Sequence, residues 1–471
     1  MKEIKIAELK KGTAAEFDYY GRDGKILIKK GVPVDDTLLN AISRRNITRF
    51  FIQEEGEDIK KLLALNMQDM DDLQFEEDSS LSDLSPASSA TETITFKLPP
   101  ENVLPVLKTI KSGEEGIRQM LETKPVRSMD DAVDKSGAVM SVLPIGEPIE
   151  KMAKEKKVGE RTMEYKQETI RSYENAVQET KSILLSIRNG ALADGGRVTN
   201  LVRGFVRTFL NDKHMLLNLA NARSTEPDYL FSHSVNVCLI AISIGASRGF
   251  DKDQILEIGI GGLLHDIGTL LIPDAIRFKK EPLSRDEILE IRKHPMLGIH
   301  LVEKIKGLPS SVSFICYQNH ERENRQGYPK QRNSRLIHDF AKIVSVADVY
   351  ESLTADRPYR NGHIPYKAME SILRSVKEGL FNADIVKYFL DYSSLFPVGS
   401  LVKLNSNEIA KVIRPNKGHY SKPIVSVIIN SNNALLKEHE IHVIDLSTAK
   451  DVQVVQAVDN RKLQVELMIG F

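Results

Sequence analysis

At 471 residues the chain exceeds the size that one core ordinarily organises, about 250–300 residues, so two or three domains are expected. Lysine plus arginine and aspartate plus glutamate balance at 65 each, which excludes the strong basic field that draws a protein to DNA, RNA or an acidic membrane surface. The two cysteines, Cys238 and Cys316, lie in apolar surroundings without CxxC or zinc-type spacing and read as reduced, buried thiols.

The amino-terminal stretch MKEIKIAELKKG alternates charged and aliphatic residues and lacks the continuous apolar core of a signal peptide, so a cytoplasmic location is the expectation. Residues 1–65 predict a small α+β domain: short alternating runs around a GRDG turn precede a helical pattern in DDTLLNAISRRN. Residues 66–92 turn acidic and then serine-rich, with too little aliphatic content for a core, and predict a flexible linker. Residues 93–158 hold prolines without a sustained period and read as an irregular or partly helical connector.

From 159 to 394 apolar positions recur at helical spacing and strand signals are nearly absent, which predicts an all-α bundle. The charged helix from Glu164 to Lys181 reads as a solvated face, with a dimer contact as the other reading. VNVCLIAISIGA, Val235 to Ala246, falls short of the ~20 residues that span a membrane and predicts a buried helix. The period changes to two near LFPVGSLVKL, so residues 395–471 predict a small β module. The fold class is therefore mainly α, with the bundle at its centre.

Within the bundle, His233 (FSHSVNV), His265 and Asp266 (LLHDIG), His294 (RKHPMLG), His320 (QNHERENRQGYP) and Asp348 (IVSVADVY) each sit beside or inside an apolar stretch. A lone histidine in such a place is more often a satisfied core residue than a ligand. Asp348 differs, because a carboxylate on a buried helix face needs a cation or strong hydrogen bonds. Four imidazoles and two carboxylates could converge in the bundle centre as di-metal sites do. Adjacent helical residues point about 100° apart, so His265 and Asp266 could not both chelate one ion squarely without help. The aspartate could instead bridge two ions. Imidazole with carboxylate suits iron, manganese or zinc, and the lack of thiolate disfavours a structural zinc site.

The order H…HD…H…H…D, closing with Gly327-Tyr328-Pro329 after the fourth histidine, resembles the HD-GYP domain over roughly residues 195–395. This bacterial branch of the HD metal-dependent phosphohydrolases is known for hydrolysing cyclic di-GMP. The flanking segments are similar to extensions found beside such domains. The resemblance implies one metal site from His233, His265, Asp266 and Asp348, with His265 and Asp266 as the catalytic centre. A second ion would take Asp266, His294 and a histidine pair that falls on Asn319 and His320.

Tyr328, Arg357 and Arg360 match substrate-binding positions, although Arg357 could equally cap a helix or pair with Asp356. Two changes set this chain apart: Asn319 replaces an imidazole, which should weaken or vacate the second site, and Thr269 stands where the family has a lysine. Tyr229 stands where some members carry a glutamate for a third ion, and ERENRQ lacks the family's aspartate-glycine turn. The implied cofactor is one or two divalent transition metal ions, iron or manganese, and the implied partner is a cyclic dinucleotide. Signalling protein partners and a homodimer remain open. So does a degenerate, non-catalytic receptor or interaction module, and so does a phosphohydrolase for another nucleotide.

Overall fold

The computed structural model describes residues 109–136, 141–154, 163–191, 195–220, 229–356, 361–437 and 439–459, with short stretches of the first 52 residues. The chain divides into two compact units, Met1–Asp58 and Ile59–Phe471. The first contains an antiparallel sheet of strands β1 (Lys2–Lys5), β2 (Tyr19–Tyr20), β3 (Ile26–Ile28) and β4 (Arg49–Ile52), in the order β1-β4-β2-β3. The helix expected at DDTLLNAISRRN and the linker at 66–92 lie outside the described residues.

The second unit is mainly α. The connector contributes α1 (Gly113–Leu121), α2 (Lys124–Ser136) and the short α3 (Ile149–Met152). There follow α4 (Met163–Arg188), α5 (Gly195–Asn211), α6 (Met215–Ala220), α7 (Tyr229–Arg248) and α8 (Lys252–Leu264). A 3-10 turn, Ile267–Leu271, leads to α9 (Asp274–Arg277), α10 (Arg285–Ile291), α11 (His294–Val302) and α12 (Ser311–Gln318). The bundle closes with α13 (Asp339–Thr354), α14 (Pro365–Lys377) and α15 (Ala383–Ser393).

Helix α7 is apolar on nearly every face, and such a helix must be surrounded. It packs against α6, α8, α13 and α15 as the central rod of the bundle. By length and composition alone it could cross a membrane, but 89% of its most apolar window is buried inside the protein. Helix α8 begins at a capping box: the Asp251 carboxylate accepts the Asp253 and Gln254 amides, and the Gln254 side chain returns to the Asp251 amide. This fixes the start of the helix whose far end delivers His265 and Asp266.

Strands β5 (Leu401–Leu404), β6 (Ile409–Arg414), β7 (Ile424–Ile429), β8 (His442–Asp445) and β9 (Val454–Val458) form an antiparallel sheet in the order β8-β7-β6-β5-β9. Alternate residues Val425, Val427 and Ile429 of β7 are buried, as a half-covered strand requires. The sheet is tied to the bundle at Tyr420, whose hydroxyl donates to Asp391 of α15 at 2.7 Å and whose carbonyl accepts the Leu395 amide at 3.0 Å.

Candidate metal centre

The chain breaks its helix where the histidine-aspartate pair falls. Helix α8 stops at Leu264, and Asp266 takes φ −105° and ψ 14° before the 3-10 turn starts. The 100° divergence expected of neighbours on a continuous helix is thereby removed, and His265 Nε2 lies 3.4 Å from Asp266 Oδ1. The freed carbonyls of the helix end find partners nearby. Gly262 O accepts His265 Nδ1 at 2.8 Å, and Leu264 O accepts the buried Cys316 thiol at 3.3 Å.

His233 of α7 and Asp348 of α13 complete this half of the site. His233 Nε2 is 3.3 Å from His265 Nε2, 3.4 Å from Asp348 Oδ1 and 3.9 Å from Asp266 Oδ2. His233 Nδ1 donates to the buried Glu351 carboxylate, which also accepts from Asn236 at 3.2 Å. Tyr173 donates to Asn236 at 2.8 Å. With both Nδ1 atoms donating, the two Nε2 atoms carry lone pairs that face one another among carboxylates. That arrangement calls for a cation between them, and the carboxylate behind His233 raises its basicity as a ligand.

The second half is built on α11 and α12. His294 Nδ1 donates to Ile291 O at 2.8 Å, so its Nε2 is the free nitrogen, 3.2 Å from Asp266 Oδ1. His320 Nε2 lies 3.5 Å from the same oxygen. These approaches do not align as hydrogen bonds: Asp266 Oδ1, His294 Nε2, His320 Nε2 and Asn319 Oδ1 are buried without a hydrogen-bond partner among the described residues. Two donor sets result, His233 with His265 and Asp266, and Asp266 with His294 and His320, each with ligand atoms within 4.8 Å of one another. Asp266 is common to both.

Electrostatics agree with a cation-binding role. Burial opposes ionisation of Asp266, but the charges of His265 and His294 outweigh it and hold the carboxyl well below the usual range. Asp348 behaves likewise, with burial overcome by the surrounding imidazoles of His233, His265 and His320. Burial pushes His320 down to about 4, assisted by the charge of His294, so it stands as a neutral ligand at pH 7.

Asn319 is fully buried and donates from Nδ2 to Asp348 Oδ2 at 3.1 Å. The GYP segment folds back over the second half: the Tyr328 amide donates to His320 O at 3.1 Å, and its ring stacks on His320 with centroids 4.8 Å apart and planes 5° apart. A Cβ at Gly327 would stand 2.3 Å from His320 O, so only glycine allows this closeness. Glu321 accepts the Lys330 and Arg332 amides at 2.7 and 2.8 Å, holding the loop to the residue after His320.

All six histidines and aspartates named from the sequence therefore meet at one place, with Asn319 and Tyr328 beside them. Arg357 and Arg360 lie outside the described residues. Three contributors went unnamed in the sequence reading. Glu351 was legible as the i+3 neighbour of Asp348 on a buried face, and Asn236 as the i+3 neighbour of His233. Arg292, exposed, with its guanidinium 5.2 Å from the Tyr328 ring centroid, carries no motif that would have marked it.

A family model described as HD domain matches residues 207–385, and one described as KOW domain associated with HD domain matches residues 401–466. The chain is 29% identical over 253 residues to cyclic di-GMP phosphodiesterase PA4108 of Pseudomonas aeruginosa, covering 54% of this chain and 60% of that protein. It is 26% identical over 215 residues to cyclic di-GMP phosphodiesterase PdeB of Borreliella burgdorferi, covering 45% and 56%. It is 27% identical over 167 residues to 3'3'-cGAMP-specific phosphodiesterase 1 of Vibrio cholerae, covering 36% and 38%. The chain thus spans little more than half the length of the first two relatives. Among solved structures, Bd1817, an HDG"Y"P protein of Bdellovibrio bacteriovorus, aligns over 82% of this chain and 97% of its own, with a TM-score of 0.36 and 15% identity, too distant to bear on the fold. The matched stretch 207–385 contains every histidine and aspartate of the centre together with Gly327-Tyr328-Pro329, and over that stretch the chain is similar to the HD domain family and to curated cyclic dinucleotide phosphodiesterases.

Proposed function

We propose that this chain is a metal-dependent phosphodiesterase that opens a cyclic dinucleotide, cyclic di-GMP in the first instance, to its linear form in bacterial second-messenger signalling. The observation that carries the reading is the pair of donor sets sharing Asp266, in the second of which Asp266 Oδ1, His294 Nε2 and His320 Nε2 are buried without a hydrogen-bond partner among the described residues. His233, His265, Asp266 and Asp348 would hold one ion, and Asp266, His294 and His320 a second, with Asn319 Oδ1 as a neutral donor. Imidazole and carboxylate oxygen suit iron(II) or manganese(II). Ions so bound supply Lewis-acid polarisation of phosphoryl oxygen and a nucleophile at neutral pH.

The protein's own residues prepare that chemistry. Glu351, Gly262 O and Ile291 O fix the tautomers of His233, His265 and His294, so that each Nε2 offers a lone pair inward. Tyr328 covers His320 and presents Arg292 at the rim, where a guanidinium can take a phosphate oxygen. Arg357 and Arg360 are proposed for the remaining phosphate contacts. The names of the relatives, which act on cyclic di-GMP or 3'3'-cGAMP, support this substrate class. The non-catalytic receptor is the weaker reading, because the second donor set closes without position 319.

The test is anaerobic incubation of the purified protein with iron(II) or manganese(II) and each cyclic dinucleotide, beside His265→Ala, with chromatographic separation of products. Linear dinucleotide from the wild type alone is the expected result. Intact substrate throughout, with metal bound, would reject turnover.

A further inference from the structure

Helices α1 and α2 precede the stretch matched by the HD domain model, yet they touch both elements that carry the second donor set. On the α11 side, Lys293, next to His294, is buried and donates to Lys111 O at 2.7 Å, just ahead of α1. Further along α11, His300 Nε2 meets the hydroxyl of Thr123, between α1 and α2, at 3.1 Å.

On the His320 side the contact is ionic and deeper. Asp130 of α2 accepts the Tyr317 hydroxyl at 2.9 Å and Arg332 Nη2 at 2.5 Å, and pairs with Lys330 Nζ at 3.0 Å. Arg332 Nη1 also donates to Asp134 at 2.7 Å. Tyr317 belongs to the helix that delivers His320, while Lys330 and Arg332 directly follow Gly327-Tyr328-Pro329. Asp130 is 8% exposed, Arg332 7% and Tyr317 1%. The buried heart of this cluster, Asp130 with Arg332 and Tyr317, holds its partners directionally, and removing the Asp130 charge leaves a buried guanidinium poorly compensated.

We propose that α1 and α2 are a brace that positions the His294/His320 half of the centre, with Asp130 as its principal positioning residue. The proposal rests on the metal-centre reading above. Force passes from Asp130 through Arg332 and Lys330 to the loop, and from Tyr328 to His320 by stacking. The first half is held instead by Glu351, Asn236 and Gly262 O, none of which belongs to the brace. Loss of the brace should therefore loosen one half and spare the other.

The experiment uses the full chain carrying Asp130→Asn, which keeps shape and an acceptor for Tyr317 while removing the charge that Arg332 requires. Manganese(II) titration by calorimetry is paired with amide hydrogen exchange. In wild type, two binding steps are expected. In the variant the weaker step should lose about tenfold or more in affinity, the range seen when outer partners of ligands are removed, and residues 321–336 should exchange faster. The stronger step and the exchange of Tyr229–Leu264 should not change.

Wild-type behaviour in both readouts would overturn the proposal, as would a uniform loss of both steps and all protection. A single step in wild type would overturn the two-ion reading and the brace's role with it. Two steps in wild type without hydrolysis would reject the enzyme while leaving the brace intact. Should Asp130→Asn fail to fold, Asp134→Asn, whose exposed carboxylate meets Arg332 at the cluster's edge, should move the same two readouts in the same direction by less.

Discussion

A methyl group at Gly268 decides whether the second half of the centre can form. A Cβ there would stand 2.0 Å from His294 O, 2.6 Å from Gly298 N and 2.9 Å from the His294 carbonyl carbon. All three are main-chain atoms of α11, so no rotamer change relieves them. Restoring an ordinary contact of 3.4 Å requires the 3-10 turn and α11 to part by about 1.4 Å. His294 Nε2, now 3.2 Å from Asp266 Oδ1, would move with its helix. Overpacking of this kind costs ~1–3 kcal/mol, and a misplacement of about 1 Å costs ~100-fold in rate. On the proposed reading, Gly268→Ala is therefore expected to melt lower, to bind one manganese ion where wild type would bind two, and to hydrolyse cyclic dinucleotide about 100-fold more slowly. Calorimetric melting, metal content after gel filtration and initial rates measure these. Gly204→Ala on α5 is the control: its Cβ meets nothing within 4 Å, so replacing a mid-helix glycine should stabilise by ~0.5–1 kcal/mol. A Gly268→Ala protein with two ions and the wild-type rate would refute the argument.

Glu351→Gln removes the charge behind His233 while keeping a hydrogen-bonding group for Asn236, and the stronger metal step should weaken about 10- to 100-fold; an unchanged titration would show that Glu351 only fills space. Arg292→Ala should raise KM for the cyclic dinucleotide about 3- to 10-fold, as loss of one exposed guanidinium contact implies, and leave kcat within twofold; an equal fall in kcat would place Arg292 in the reaction itself. Burial pushes both His300 and His338 down to about 4 from an ordinary value of 6.5. The unfolded chain binds these protons first, so stability is complete above about pH 6.5 and declines as pH falls toward 4, by up to ~1.4 kcal/mol per pH unit for each. Urea midpoints at pH 7 and pH 5 measure the slope, which His338→Gln should flatten; an unaltered slope would contradict the assignment.

The α bundle and the β module were legible because their apolar periods, 3.6 and 2, differ and change near residue 395. The six candidate ligands that the fold brings together were legible because few side-chain types can hold a metal and their order along the chain is distinctive. What the sequence hid was geometry between elements. LLHDIG marks the His265–Asp266 pair as the end of an apolar helix, and the helix does stop at Leu264; what it does not show is how the freed carbonyls are met, Gly262 O locally by His265 Nδ1 and Leu264 O by the Cys316 thiol of another helix. Residues 93–158 read as irregular or partly helical, without placed helices, because α1 and α2 gain their stability from α10, α11 and the GYP loop. Their polar clusters, Asp130 above all, make sense only beside partners some 200 residues away in sequence.

Asn319 shows why a departure from a motif should be judged in place. An amide is a poorer donor than imidazole toward a late first-row ion, so the sequence reading expects a weakened or vacated second site. In the fold Asn319 engages Asp348 Oδ2 through its N–H, which leaves Asp348 Oδ1 turned toward His233 at 3.4 Å. Its own Oδ1 stays buried without a hydrogen-bond partner among the described residues, a desolvation cost that a neighbouring cation would offset. On the proposed reading the substitution thus has two effects. It fixes the orientation of Asp348 for the first ion, and it leaves the second ion three strong donors, Asp266, His294 and His320. A site with fewer protein ligands binds more weakly but keeps a coordination position open for a phosphate oxygen, the arrangement that distinguishes catalytic from structural metal sites. Weaker retention of the second ion and competence for hydrolysis are therefore compatible, and the second ion's affinity becomes the quantity that Asp266, Gly268 and the Asp130 brace jointly set.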